Sequence, residues 1–187
     1  MHIVVDAHML GEQEGGNETY IAGLLEGFES ALPSDHTQIT ALHSPSYTSP
    51  RKQHRSIRSV ALCSKSDFRR LFWEIPSICR RLQADLLHVT YNAPIGSVCP
   101  FVVTVHDVIF RLYPEYFSPR VRVLLSTLMP LSMWRAAVVL TVSEASKQDI
   151  TRYYPFARDK IMVIPEAAGP VATAKPGFWY RLTVRMR

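Results

Sequence analysis

Two adjacent residues, His106 and Asp107, end a run of apolar and β-branched residues at 101–105. An imidazole changes charge near neutral pH and can donate or accept a hydrogen bond, so a histidine at a strand end is a candidate for contact with a polar substrate. His106 and Asp107 are therefore the candidate catalytic pair. The plainer reading of the same residues is a partly buried, satisfied imidazole beside an aspartate that caps the next turn. Gly15, Gly16 and Asn17 form a second cluster, in a loop that opens a helix. Glycines there let backbone N–H groups approach a phosphate, and the helix dipole favours its charge. A simple turn would use the same residues, and the spacing matches neither GxGxxG nor a P-loop. His8, Tyr91 and Asn92 also follow strands and should line the same edge as His106. Ser143 and Glu144 supply a hydroxyl and a carboxylate where a helix begins, which is first of all a capping pattern. There is no Gly-x-Ser-x-Gly elbow, no His-Glu-x-x-His and no clustered His/Cys set, so neither a metal nor any other cofactor is expected.

Placing these residues is the work of alternating elements. Strands are expected at 2–6, 38–43, 57–62, 85–90, 101–106, 136–142 and 160–164, several of them near-continuous in Val, Ile and Leu. Such runs read as strands buried on both faces of a parallel sheet. Helical spacing of apolar residues is expected at 18–30, 67–83, 118–133 and 144–154, with Pro76 expected to kink or split the second of these. The pattern predicts an α/β fold: a Rossmann-like, doubly wound, mainly parallel sheet of about seven strands. In such sheets ligands collect beyond the carboxyl ends of the strands, where His106 lies. One domain is expected over 1–165, with residues 166–187 a linker and tail.

Composition bounds the partners. The chain has 187 residues, 47% of them apolar, and its 21 basic and 16 acidic residues leave a formal charge of +5. That suits a globular fold and an anionic ligand or membrane surface, and nucleic acid is not the expected partner. Cys63, Cys79 and Cys99 show no CxxC spacing and are read as reduced thiols in a cytoplasmic protein. The N-terminus lacks the pattern of a signal peptide. The uncharged stretch 123–134, bracketed by Arg122 and Arg135, is too short to span a bilayer. Arg69, Arg70, Arg80 and Arg81 read as a solvated helix face; with Phe72 and Trp73 they read alternatively as a contact with anionic headgroups at the inner face of the membrane.

Five motifs agree in order with one family. They are Gly15-Gly-Asn-Glu-Thr-Tyr20; Trp73-Glu74 through Asp85-Leu-Leu-His88 to Tyr91-Asn-Ala-Pro94; Thr104-Val-His-Asp-Val108 with Tyr113-Pro-Glu-Tyr116; Thr141-Val-Ser-Glu-Ala-Ser-Lys-Gln-Asp-Ile150; and Lys160-Ile-Met-Val-Ile-Pro165. Over roughly residues 1–170 the chain resembles the N-terminal domain of retaining glycosyltransferases of family 4 (group 1), which have the GT-B fold. The resemblance implies two Rossmann-like domains facing across a cleft, the first receiving the acceptor and the second binding the donor nucleotide. It implies that Gly15, Gly16 and Asn17 approach the donor diphosphate, that His106 lies beside the transferred sugar, and that the reaction keeps the anomeric configuration without a metal. Preorganised N–H and positive groups would stabilise the departing diphosphate.

The family's C-terminal domain, with its two glutamates spaced eight apart, has no counterpart, and residues 177–187 do not resemble its opening. The expectation is thus the acceptor-binding half of an enzyme that moves sugar from a nucleotide-sugar to a glycan or lipid-linked acceptor, holding its donor weakly and nearly inactive alone. The alternatives are a non-catalytic half-module that pairs with a separate donor-binding chain or a membrane, and a generic Rossmann-like nucleotide binder. Open cleft surface near Phe110, Tyr113 and Tyr116, and the aromatic tail Phe178-Trp-Tyr180, suggest self-association.

Overall fold

The computed structural model describes residues 1–12, 15–31, 37–47 and 56–166. The expected tail and most of the loop between the second and third strands lie outside these. Seven strands make up a sheet in the order β3-β2-β1-β4-β5-β6-β7. They are β1 (His2–Ala7), β2 (Gln38–His43), β3 (Ile57–Ala61), β4 (Leu86–Thr90), β5 (Phe101–Thr104), β6 (Val138–Thr141) and β7 (Ile161–Val163). The α/β, Rossmann-like parallel fold read from the sequence is the one observed. The described residues divide into two compact units, Met1–Lys65 with Glu166, and Ser66–Pro165.

In the first unit β1 pairs in parallel with β2, and β2 with β3. Ile3, Val4 and Val5 are buried, as β-branched residues in a two-sided strand should be. The helix α1 (Gly16–Ala31) buries Ile21, Leu25 and Phe28, one face at intervals of four and three. Burying a side chain of this kind contributes about 1.5–3 kcal/mol. On β3, at the end of the strand order, only Ile57 is buried, and Arg58 and Ser59 face solvent. A short polar edge of this kind resists pairing with other chains.

In the second unit β4, β5, β6 and β7 pair in parallel in sequence order. Every residue of β4 and β5 is buried. Inside that sheet His88 Nε2 lies 2.9 Å from Thr104 Oγ1. Between β3 and β4 run α2 (Asp67–Arg69), a π-helical turn (Arg70–Glu74) and α3 (Ile75–Leu82). Pro76 was expected to kink or split this segment. The segment is divided just before it, where the turn widens: Ile75 N–H reaches the Arg70 carbonyl five residues back. A wide turn absorbs the bond that a proline cannot make. Arg70 departs from expectation, since it is buried and donates to Asp67 Oδ1 at 2.7 Å. Only Arg69, Arg80 and Arg81 remain on the exposed face. α3 ends at Gln83, whose φ of 51° and bonds back to the last turn make a left-handed cap usually given to glycine.

After β5 come α4 (Ile109–Leu112), a 3-10 turn (Pro114–Tyr116) and α5 (Pro119–Arg135). Ser118 caps α5 and Pro119 opens it, while Pro130 sits inside it. α6 (Glu144–Tyr153) and a 3-10 turn (Pro155–Lys160) lead to β7. Among the described residues no helix is long and apolar enough to cross a membrane.

Candidate functional site

In the second unit three neighbouring strands, β4, β5 and β6, deliver candidate residues to one edge. Regular pairing in β5 ends at Thr104, so His106 stands two residues beyond the strand rather than at its tip. The chain there is still held: Val105 N–H donates to the Leu140 carbonyl at 2.8 Å, and Thr141 Oγ1 donates to the His106 carbonyl at 3.5 Å. These bonds fix the backbone that carries the imidazole. Asp107 Oδ1 accepts from Ile109 N–H at 2.9 Å. It therefore caps the turn into α4, the plainer of its two expected roles.

Tyr91 follows β4 with φ of 59°, a left-handed conformation uncommon for a side chain of this size. Its N–H donates to the Thr104 carbonyl at 2.9 Å, and Asn92 N–H donates to the Thr90 carbonyl at 2.7 Å. The turn brings the Tyr91 ring to 5.7 Å from the His106 ring, tilted by 55°. Asn92 is buried, and its Oδ1 has no hydrogen-bond partner among the described residues. Ala93 N–H donates to Ser132 Oγ at 2.8 Å, which anchors the turn to α5. Ser143 accepts from Ser146 N–H at 3.0 Å and caps α6, with Glu144 exposed in its first turn. The unit thus brings Tyr91, His106 and Ser143 to the ends of adjacent strands. Phe110 is buried and is not part of an open surface, whereas Tyr113 and Tyr116 are exposed.

In the first unit the candidates follow β1. Asp6 is buried, and its Oδ1 lies 3.0 Å from His8 Nδ1. With the carboxylate accepting, Nδ1 carries the proton and Nε2 is the acceptor of the neutral ring. Gly15 has φ of 59°, and a Cβ at either Gly15 or Gly16 would meet nothing within 4 Å. The loop therefore needs glycine at 15 for its backbone, and leaves space at both. The Gly15 carbonyl accepts from Thr19 N–H at 3.2 Å, so the first-turn N–H groups of Gly16 and Asn17 have no carbonyl ahead of them in the helix. That is the geometry a phosphate oxygen would use.

Several residues of this region were not anticipated. Gly11 also has positive φ, 77°, and a Cβ there would come within 2.8 Å of the Tyr47 ring. Its N–H donates to Glu18 Oε1 at 2.8 Å. Glu12 accepts from Lys65 Nζ at 2.9 Å and from the hydroxyls of Ser44 and Ser46. These bonds, Lys65 first, lower its pKa to about 2. Arg111 donates to the Tyr154 hydroxyl at 3.1 Å and lies over that ring. The contacts of Glu12 and Arg111 join residues far apart in sequence, so no local spacing announced them. Asp6 did leave a signal: an acid ending an apolar strand two residues before a histidine. Among the described residues no three His, Cys, Asp or Glu side chains converge as a metal site would need.

Comparison with known proteins bears on this arrangement. The model of Glycosyltransferase Family 4 matches residues 15–168. Among solved structures, a sucrose-phosphate synthase from Thermosynechococcus elongatus is similar with a TM-score of 0.56 and 13% identity, covering 100% of this chain and 95% of that one. Anabaena HepE, solved in complex with UDP-glucose, is similar with a TM-score of 0.50 and 17% identity over 89% of this chain. The chain spans 44% of the HepE chain. At these identities the two structures speak for the fold. No curated protein matches the sequence.

Proposed function

The chain belongs to glycosyltransferase family 4, and on that premise we propose that it forms the acceptor-side half of a retaining transferase, which moves a sugar from a nucleotide-sugar to a glycan or lipid-linked acceptor in the cytoplasm. The observation that carries the reading is the ordered His106 turn inside the matched region, with Tyr91 held against its ring.

In this reading the edge formed by Tyr91, His106 and the Ser143–Glu144 turn receives the reacting sugars. His106 hydrogen-bonds the sugar in transit. The N–H groups of Gly16 and Asn17 approach the departing diphosphate, where donors fixed in advance stabilise developing charge without reorganising. The reaction then needs no resident metal. The donor nucleotide is held chiefly by a second domain, so residues 1–187 alone transfer sugar slowly.

The test has two parts. The 187-residue chain is titrated with a panel of nucleotide-sugars and with the free nucleotides, and binding weaker than about 0.1 mM is expected from one wall of a cleft. Low-micromolar nucleotide binding would instead mark a self-sufficient nucleotide binder. Transfer is then assayed with the protein carrying both domains. His106→Ala should lower the rate by about a hundredfold or more while the fold holds, and chelator should leave the rate unchanged. An unaffected rate in His106→Ala removes His106 from the site.

A further inference from the structure

The 17 residues of α5 include Arg120, Arg122 and Arg135 and no acid. Met129, Ser132 and Met133 are its buried residues. At about 3.6 residues per turn, the face opposite them carries Arg120, Val123, Thr127, Leu131, Trp134 and Arg135. Val123 is 64% exposed and Trp134 63%. The usual pattern is thus reversed: the side turned to water is an apolar stripe with a cation at each end. A helix apolar on its outer side calls for a cover.

Charge decides which cover fits. A second copy of α5 would set arginine against arginine, whether the two helices ran parallel or antiparallel. The 3-10 turn packed against α5 adds Arg158 and Lys160 against the single acid Asp159. Lys160 Nζ itself donates to the Trp134 carbonyl at 2.6 Å, which brings a further cation to the end of the stripe. Glu115, just before α5, is the other nearby acid in sequence. The segment of α2 and α3 also exposes rings, Phe68 and Trp73, but it carries Asp67 and Glu74 among its arginines. Apolar residues with an aromatic on one face, cations at the ends and no acids are what an interfacial helix presents to anionic lipid.

We propose that this face of α5 lies on a bilayer containing anionic lipid, with Val123, Leu131 and Trp134 entering the headgroup boundary and Arg120 meeting a phosphate. The helix lies on the surface, since it is too short and too charged at its ends to span.

The experiment floats the 187-residue chain with vesicles of phosphatidylcholine alone or mixed with phosphatidylglycerol. Binding should rise about tenfold or more with the anionic lipid and fall as salt is raised from about 0.1 M to 0.5 M. The exposed-residue variant Val123→Ser/Leu131→Ser/Trp134→Ser should lose binding, and Arg120→Gln should weaken its dependence on anionic lipid, both with an unchanged circular dichroism spectrum. Arg135 is left intact because it also bonds the carbonyls of Pro94 and Ile95. Equal binding to neutral and anionic vesicles overturns the proposal, as does no binding to either. So does loss of binding in Phe68→Ser/Trp73→Ser with the α5 variants unaffected, or a dimer by light scattering that Leu131→Glu dissolves.

Discussion

Tyr91 meets His106 at 5.7 Å between ring centroids, and it does so from a backbone turned to φ of 59°. A left-handed conformation costs a residue with a Cβ about 1–2 kcal/mol. The sheet offsets that cost with the bond from Tyr91 N–H to the Thr104 carbonyl, next to the loop that carries His106. Strain kept at a candidate site is itself informative, because relaxing it would be easy.

Replacing Tyr91 separates strain from contact. Tyr91→Gly should be about 1 kcal/mol more stable than Tyr91→Ala in urea unfolding, since both lack the ring and only glycine relieves the backbone. If the ring positions the imidazole, both variants should lose transfer about tenfold or more, and Tyr91→Phe should retain it. Equal stability of the glycine and alanine variants would show that the turn carries no strain.

Glu12 gives the chain a specific acid response. Hydrogen bonds from Lys65, Ser44 and Ser46 lower its pKa from 4.5 to about 2 in the fold. A carboxylate with a depressed folded pKa contributes stability that is fully present above its unfolded value. That contribution is lost as pH falls from about 4.5 toward 2. Glu12→Gln should therefore flatten that part of the stability–pH curve, lowering stability at neutral pH and converging with the parent as pH falls. The group lies near the surface, so the effect should be small and shrink further in salt. Urea midpoints of the two proteins at pH 5, 4 and 3 give the answer, and parallel curves would dismiss the assignment.

Much of this was legible in the sequence because it rests on local pattern. Val-rich runs gave the strands, and β2 falls on the expected residues 38–43. Ser143 was readable as a cap because capping is decided within one turn. The order of motifs was enough to suggest the family. What failed to read through depends on packing. Pro76 pointed to a break, but not to its form, a π turn one residue wider than an α turn just before the proline. Arg70 looked like its exposed neighbour Arg69, and only the widened turn and Asp67 take it inward. His106 was assigned to a strand that in fact ends at Thr104, because β-branched residues continue the pattern after the ladder stops.

The hydroxyl of Ser132 links α5 to the candidate edge. It accepts from Ala93 N–H at 2.8 Å and donates to the Leu128 carbonyl at 2.7 Å. Both Ala93 and Ser132 are buried. Ser132→Ala would leave the Ala93 N–H without its acceptor, at a cost of about 1–3 kcal/mol. Thr127 makes a similar bond back to the helix, to the Val123 carbonyl at 2.8 Å, but it is exposed and serves no other residue. Thr127→Ala should therefore cost less than about 0.5 kcal/mol. The lost anchor should also loosen the turn at Tyr91, which amide exchange at residues 91–93 would report as faster opening in Ser132→Ala than in Thr127→Ala. Should the two variants match in both stability and exchange, the Ser132 hydroxyl does not hold that turn.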